Sequence, residues 1–239
     1  MIIKFGLKVW STNLQLIPVI KNHLENYKLD YIEIFSVPDT FHDTAEKWSE
    51  VETQFVIHAA HSMTGLNFAK QEMELRNKEL SIEAYKFADI LKADKVIFHP
   101  GSDGDIEETI RQMKIISDDR MIIENKPLKG INDEVCIGST PPEIKYIMDK
   151  LDIGFCLDFG HAIASANSHG VESIEMIDNF IKLEPVMFHL TDGDYSSEID
   201  LHEPIGKGNF PLNKIFSLIP DGAFVTDEAR RENFASIDE

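Results

Sequence analysis

The chain has 239 residues, of which 43% are hydrophobic and 27% are charged, and its formal net charge is -19. Its apolar runs, such as Met121-Ile122-Ile123, fall far short of the roughly 18–20 residues that a membrane-spanning helix needs, so the composition is that of a globular protein. The negative charge excludes a protein that coats DNA non-specifically, but it does not exclude an enzyme that meets phosphate groups through metal ions.

Two cysteines, Cys136 and Cys156, are too few for a disulfide framework. Residues 1–20 lack the basic start, the long apolar stretch and the cleavage site of an export signal. Both observations favour a cytoplasmic protein. Because no linker, repeat or low-complexity segment divides the chain, we expect a single domain over residues 1–239.

Short β-rich runs recur at intervals of roughly 30 residues, the size of one strand and one crossover helix. Several are continuously apolar, as in strands of a parallel sheet that are buried on both faces. Eight such runs predict a (β/α)8 TIM barrel. An open doubly wound sheet is the alternative, but no glycine-rich phosphate loop follows the first run. The runs are residues 5–10, 31–35, 55–58, 95–99, 121–124, 153–158, 186–190 and 223–228.

Helical spacing of apolar residues occurs between these runs, for example over residues 84–91 and 174–181. Pro141-Pro142 before Glu143 predicts a helix start. After Glu228 only a short polar segment remains, so we expect the eighth outer helix to be truncated or missing. The apolar patch that this would leave is expected to be covered by a second copy in a homo-oligomer or by an N-terminal segment.

Histidines and carboxylates gather where predicted strands end, and in a barrel these ends meet on one face. So many carboxylates in one cleft need counter-ions, and imidazole with carboxylate ligands favours zinc, manganese or iron. We interpret His58 as a structural histidine and Cys156 as core filling. The predicted metal-binding residues at strand ends are His61, His99, Glu124, Asp158, His161, His189 and Glu228.

A second dense segment runs from Asp200 to Asn209. Asp200 and His202 would point the same way on an extended backbone, so both could hold one ion. Gly206 and Gly208 permit a tight turn behind them. Lys207 could approach a phosphate group, although a solvated surface lysine is the simpler interpretation. Lys207 and Asn209 are the predicted substrate contacts.

Five motifs together resemble the endonuclease IV branch of the xylose isomerase-like TIM barrels. They are FHPGS (98–102), IIEN (122–125), CLDFGHA (156–162), FHLTDG (188–193) and DLHEPIGKGN (200–209), in the order and at the spacing of that family. The resemblance covers residues 55 to 210.

This resemblance implies up to three zinc ions bound by nine side chains, with Glu124 as the catalytic residue that bridges two ions and orients the nucleophile. It also implies cleavage of the DNA backbone 5′ to abasic sites, with a free 3′-hydroxyl. Asp227 is an alternative to Glu228. The nine side chains are His61, His99, Glu124, Asp158, His161, His189, Asp200, His202 and Glu228.

Other features depart from that family. The loop after the second run is acidic, and only Met63 and Leu66 offer apolar wedges after the third. The segment Tyr31-Ile32-Glu33-Ile34 resembles the second strand of sugar isomerases and epimerases of the same superfamily.

The alternative function is therefore a divalent-metal sugar isomerase or epimerase that acts on a small sugar or sugar phosphate. It would need only Glu124, Asp158, His189 and Glu228 as ligands. A metal-dependent scaffold without activity is a third interpretation, which missing ligands would indicate, and none is missing.

Overall fold

Eight parallel strands pair in chain order and close into a barrel in the computed structural model, which describes residues 2–230. Strand β1 pairs with both β2 and β8, and this pairing closes the ring. The predicted (β/α)8 barrel is confirmed, and each strand end lies within one residue of its prediction. The strands are β1 (Lys4–Trp10), β2 (Tyr31–Phe35), β3 (Gln54–His58), β4 (Val96–Phe98), β5 (Met121–Glu124), β6 (Gly154–Asp158), β7 (Met187–Leu190) and β8 (Phe224–Asp227).

Helices cover the outside of the barrel, and the two segments with predicted helical spacing lie in α3 and α7. Helix α5 begins at the predicted prolines, where Thr140 and Glu143 form a reciprocal capping box. The helices are α1 (Ile17–Glu25), α2 (Phe41–Ser49), α3 (Glu74–Leu91), α4 (Ile106–Ile115), α5 (Pro141–Leu151), α6 (Phe159–His169), α7 (Ser173–Ile181) and α8 (Leu212–Leu218).

Helix α6 is an addition that the sequence pattern did not predict, so two helices separate β6 from β7. Its first eight residues, 159–166, are all buried, and it therefore shows no polar and apolar faces from which a period could be recognised. The predicted truncation of the eighth outer helix concerns residues 231–239, which lie outside the described residues.

The interior of the barrel is filled by an apolar layer with one residue from each of several strands. Cys156 belongs to this layer, as the sequence analysis expects. Gly6 makes room for the Tyr31 ring of this layer, since a Cβ at position 6 would lie 2.2 Å from that ring. The layer consists of Tyr31, Val56, Ile97, Ile122, Cys156 and Met187, with Phe224 packed against it.

Within residues 2–230, no helix combines the length and the apolar character needed to cross a membrane.

Candidate metal centre

A layer of ionisable side chains lies directly above the apolar layer, towards the carboxyl ends of the strands. Each of its six residues comes two positions after a residue of the apolar layer. Side chains two apart in a strand point to the same side, so both layers face the interior of the barrel. All are buried except His99, which is slightly exposed. The six residues are Glu33, His58, His99, Glu124, Asp158 and His189.

The first donor group is formed by His58, His99 and Glu124. The Nε2 atoms of His58 and His99 each lie 3.1 Å from Oε2 of Glu124. Nδ1 of His58 lies 2.8 Å from the carbonyl oxygen of Ala59, to which it can donate, so Nε2 is left with a lone pair towards Glu124. His58, which the sequence analysis interprets as structural, thus has the orientation of a ligand.

His61 lies higher in the site and stands apart from the donor groups found among residues 2–230. Its ring stacks on His99 with centroids 5.5 Å apart and packs against Phe35 at 5.2 Å. Burial, followed by the Lys126 ammonium, lowers the pKa of His61 to about 3, so the ring is neutral. Its role as a ligand remains a prediction.

The second donor group is formed by Glu124, His189 and Glu228, and a further group of Glu33, His58 and Glu228 overlaps it. Nδ1 of His189 lies 2.7 Å from Oε1 of Glu228 and 3.5 Å from Oε2 of Glu124. Between the two alternatives at the end of β8, it is Glu228 that faces the site. Asp227 accepts a hydrogen bond from the backbone N–H of Ala229 instead.

The third donor group is formed by Asp158, His161, Asp200 and His202, with one ligand atom of each within 4.8 Å of the others. Oδ1 of Asp158 also caps helix α6 by accepting from the N–H of His161 at 2.7 Å. Nδ1 of His161 lies 2.9 Å from the carbonyl oxygen of Asn125, so Nε2 carries the lone pair, which faces Nζ of Lys126 at 3.2 Å.

The segment of Asp200 and His202 is not extended, contrary to the sequence analysis. His202 has a φ of 54°, in the left-handed region that residues other than glycine rarely adopt. Its N–H donates to Oδ1 of Asp200 at 2.8 Å, and this turn brings the two side chains together. Gly160 admits Asp200 to the site, since a Cβ there would lie 2.1 Å from Oδ2 of Asp200.

Buried carboxylate oxygens without hydrogen-bond partners show that the site fits a cation. Oδ2 of Asp158 and Oδ2 of Asp200, both in the third group, have no hydrogen bond. A buried polar atom in this state costs about 1–3 kcal/mol, and an ion among these donors removes that cost. Imidazole nitrogens and carboxylate oxygens without a thiolate are a donor set for zinc, manganese or iron.

Three charged residues that the sequence analysis left out of the site also face it. Lys8 lies with Nζ 2.5 Å from Oε1 of Glu228 and 3.5 Å from Oε1 of Glu33. Burial opposes its charge, but Glu228 and Glu33 outweigh burial and raise the pKa of Lys8. Lys126 lies with Nζ 3.2 Å from Nε2 of His161. Lys8 and Glu33 could have been identified from the sequence by their inward positions in β1 and β2.

The charge state of the layer follows from these neighbours. Burial raises the pKa of Glu33, but His189 and Lys8 outweigh it and hold the pKa below its ordinary value, so Glu33 is anionic. Burial also lowers the pKa of His189, but the carboxylates of Glu228 and Glu33 outweigh burial and raise it well above its ordinary value. Because a histidine must be deprotonated to bind a metal ion, an ion bound at His189 would displace this proton.

A cavity of about 440 Å³ opens above the ionisable layer. Trp10 and Met63 line it and are 51% and 58% exposed. Lys126, Lys129 and Arg230 supply positive charge at its wall. Leu66 was wrongly expected as an apolar wedge, because it is buried in the core.

The predicted substrate contacts Lys207 and Asn209 are exposed and line a neighbouring cavity of about 340 Å³. Oδ1 of Asn209 accepts from the N–H of Tyr195 at 2.6 Å. Asp200 borders both cavities. Contact of Lys207 and Asn209 with a substrate remains a prediction.

A closed barrel with acidic and imidazole side chains at its carboxyl face is the architecture of the metal-dependent TIM barrel enzymes. Residues 23–226 match the family described as xylose isomerase-like TIM barrel, and the chain belongs to this family. The resemblance stated from the sequence motifs is thereby confirmed.

The chain is similar to proteins with two kinds of name. A protein of Thermoplasma volcanium named probable endonuclease 4 is 34% identical over 170 residues, which are 64% of this chain and 58% of that protein. The crystal structure of endonuclease IV from Thermus thermophilus is 18% identical, with a TM-score of 0.70, over 96% of this chain and 93% of that one. A D-tagatose 3-epimerase-like protein is 20% identical, also with a TM-score of 0.70, over 97% and 92%. The two structures share the fold with this chain.

Proposed function

We propose that the protein is a metal-dependent phosphodiesterase of the endonuclease IV type, which cleaves the DNA backbone 5′ to abasic sites. The observation that carries this proposal is the third donor group. Asp200 and His202 converge with Asp158 and His161 within 4.8 Å, although a sugar isomerase of this superfamily needs neither Asp200 nor His202. The Thermoplasma relative named probable endonuclease 4 supports the same function.

The first, second and third donor groups would hold up to three zinc ions, and manganese or iron would suit the same donors. In this proposal His58 would be the histidine that joins His99 and Glu124 as a ligand, whereas the sequence analysis names His61 among the nine ligands. Bound ions would supply Lewis-acid activation of water and of phosphate oxygens. Glu124 belongs to two of the groups and is central to the site, with donor nitrogens of His58, His99 and His161 within 3.1 Å of its oxygens.

The chain's own residues would orient the DNA. Glu124 is held by histidines on three sides, so its carboxylate has a fixed direction in which to orient the attacking water and accept its proton. Lys126, Lys129 and Arg230 would attract the phosphates at the cavity wall, where they offset the net charge of -19 locally. Trp10 and Met63 offer apolar contact to sugars or unstacked bases. Such an enzyme would work in the cytoplasm, on DNA as its partner.

A sugar isomerase or epimerase is the second candidate, and Glu33 favours it. This carboxylate lies in the YIEIF strand that resembles those enzymes, and it is buried beside His189. In that case Glu124, Asp158, His189 and Glu228 would bind the metal, and a carboxylate would move a proton next to a carbonyl group of the sugar.

The test is a labelled oligonucleotide duplex with one abasic site, incubated at low salt with zinc- or manganese-loaded protein. We expect a nick 5′ to the site with the wild type and none with Glu124→Gln, which keeps the shape but removes the charge. Glu72→Gln, at an exposed position, is the matched charge control and should nick normally. An intact duplex together with interconversion of a ketose and its epimer would transfer the assignment to the isomerase.

A further inference from the structure

Glu33 is a fully buried carboxylate whose two nearest partners belong to distant strands. Its Oε2 lies 3.0 Å from Nε2 of His189 and accepts a hydrogen bond from Oγ1 of Thr226 at 2.8 Å. Because a carboxylate at Oε2 can only accept, Nε2 of His189 must carry the hydrogen of this contact.

The consequence for His189 concerns its other nitrogen. With Nε2 donating to Glu33, Nδ1 is the atom left to face Glu228 at 2.7 Å and Glu124 at 3.5 Å. An imidazole that binds an ion through one nitrogen is oriented by the hydrogen bond that the other nitrogen makes. Glu33 therefore decides both the tautomer and the direction in which His189 presents Nδ1.

Glu33 is itself held in place by Tyr31, through Thr226, and by Lys8. The hydroxyl of Tyr31 lies 2.7 Å from Oγ1 of Thr226, so it donates to the hydroxyl that in turn donates to Glu33. Nζ of Lys8 lies 3.5 Å from the second oxygen, Oε1. A buried anion with these supports has little freedom to turn, which makes it a fixed acceptor for His189.

We propose that Glu33 is a positioning residue for the metal centre, which fixes His189 with Nδ1 directed at the ion held by Glu124 and Glu228. The assignment rests on the proposed metal-dependent function, but it holds for either a phosphodiesterase or an isomerase, because both use His189. In this role Oε2 of Glu33 acts through His189, while Oε1 faces the donor atoms of His58 and Glu228.

The experiment titrates the metal-free whole protein with Co²⁺ and records the affinity and the visible d–d absorption. Loss of such an outer-shell partner costs 10–100-fold in metal affinity. We expect roughly a tenfold loss with Glu33→Gln, whose amide oxygen can still accept, and close to 100-fold with Glu33→Leu, which has no acceptor. Both should shift the absorption bands. Tyr146→Phe, which removes a hydroxyl on helix α5 that bonds Glu107 outside the site, should retain the wild-type affinity within about twofold.

The outcomes separate the effect of the hydrogen bond between Glu33 and His189 from the effect of the negative charge of Glu33. Equal losses in Glu33→Gln and Glu33→Leu would mean that only the negative charge matters, and unchanged affinity and absorption in Glu33→Gln would mean that Glu33 does not position His189. Either result overturns the assignment while leaving the metal centre in place. If the leucine variant does not fold, the glutamine variant and its spectrum decide. A wild type that binds no Co²⁺ would overturn the metal centre and this assignment together.

Discussion

His58 and His61 leave the same end of strand β3, but only His58 brings a ring nitrogen to Glu124, with Nε2 3.1 Å from Oε2. His61 comes three residues after the end of β3, and its ring stacks on His99 with the ring centroids 5.5 Å apart. A buried donor in contact with the shared carboxylate is a better candidate ligand than a neighbouring ring that packs against another ligand.

The two histidines therefore provide a matched pair of variants. His58→Ala should lower the bound zinc by about one ion per chain, because the first donor group keeps only two of its members. His61→Ala should keep the full zinc content. Elemental analysis of protein purified without chelator measures both, and the reverse pattern would restore His61 as the ligand.

Metal removal should destabilise the barrel. Without an ion, the unpartnered oxygens of Asp158 and Asp200 remain buried, whereas an ion present at 100 times its dissociation constant stabilises the folded state by about 2.7 kcal/mol. For a chain of this size that corresponds to roughly 5–10 °C in Tm. Differential scanning calorimetry with EDTA, and after zinc is added back, measures the shift. Identical Tm values under the two conditions would contradict a bound ion.

The stability of the metal-free protein should depend on pH through His202. Burial lowers the pKa of His202, but Asp200 and Glu228 outweigh burial and raise it to about 9. Because the folded pKa lies above the unfolded value of about 6.5, the added stability is fully present below that value and is lost as the pH rises through 9. Urea unfolding from pH 6 to 10 in EDTA should show this loss. The loss should be smaller in His202→Gln and unchanged in His42→Gln, at an exposed position.

Tryptophan fluorescence should report on ligand binding at the cavity. The chain has two tryptophans: Trp10 lines the cavity and is 51% exposed, whereas Trp48 is buried and donates from Nε1 to the carbonyl oxygen of Ser11. Abasic duplex added to the inactive Glu124→Gln variant should quench the emission by contact with Trp10. A Trp10→Phe substitution in that background should abolish the quenching. Quenching that persists would place the DNA elsewhere.

Salt should weaken cleavage, and Arg230 should carry part of this effect. The wall of the cavity carries carboxylates such as Glu134 beside its cations, and the chain is acidic overall, so binding of a phosphate backbone would depend on a few cations. Nicking should be slow and should fall steeply with added salt. Arg230→Gln should raise KM and reduce the slope of log affinity against log salt by about one. A slope equal to that of the wild type would show that Arg230 touches no phosphate.

Much of the architecture could be predicted from the sequence because it is recorded in short-range patterns. The apolar runs located all eight strands to within one residue, and Pro141-Pro142 before Glu143 marked the start of α5. The strand ends also located Glu124 and its neighbours, since parallel strands must bring their carboxyl ends to one face. Helix α6 was missed because burial on all sides removes the periodic signal.

Closure of the barrel decided what short-range patterns cannot record. Glu33 and His189 are 156 positions apart, and they meet because side chains of one layer face each other across the closed ring. Whether His58 or His61 contacts Glu124, and whether Glu228 or Asp227 faces His189, depended on which side chains point inward where strand becomes loop. The sequence by itself thus determined which residues stand at the carboxyl face. Only the tertiary structure decided which of them share an ion site, because that depends on distances across the barrel rather than on spacing along the chain.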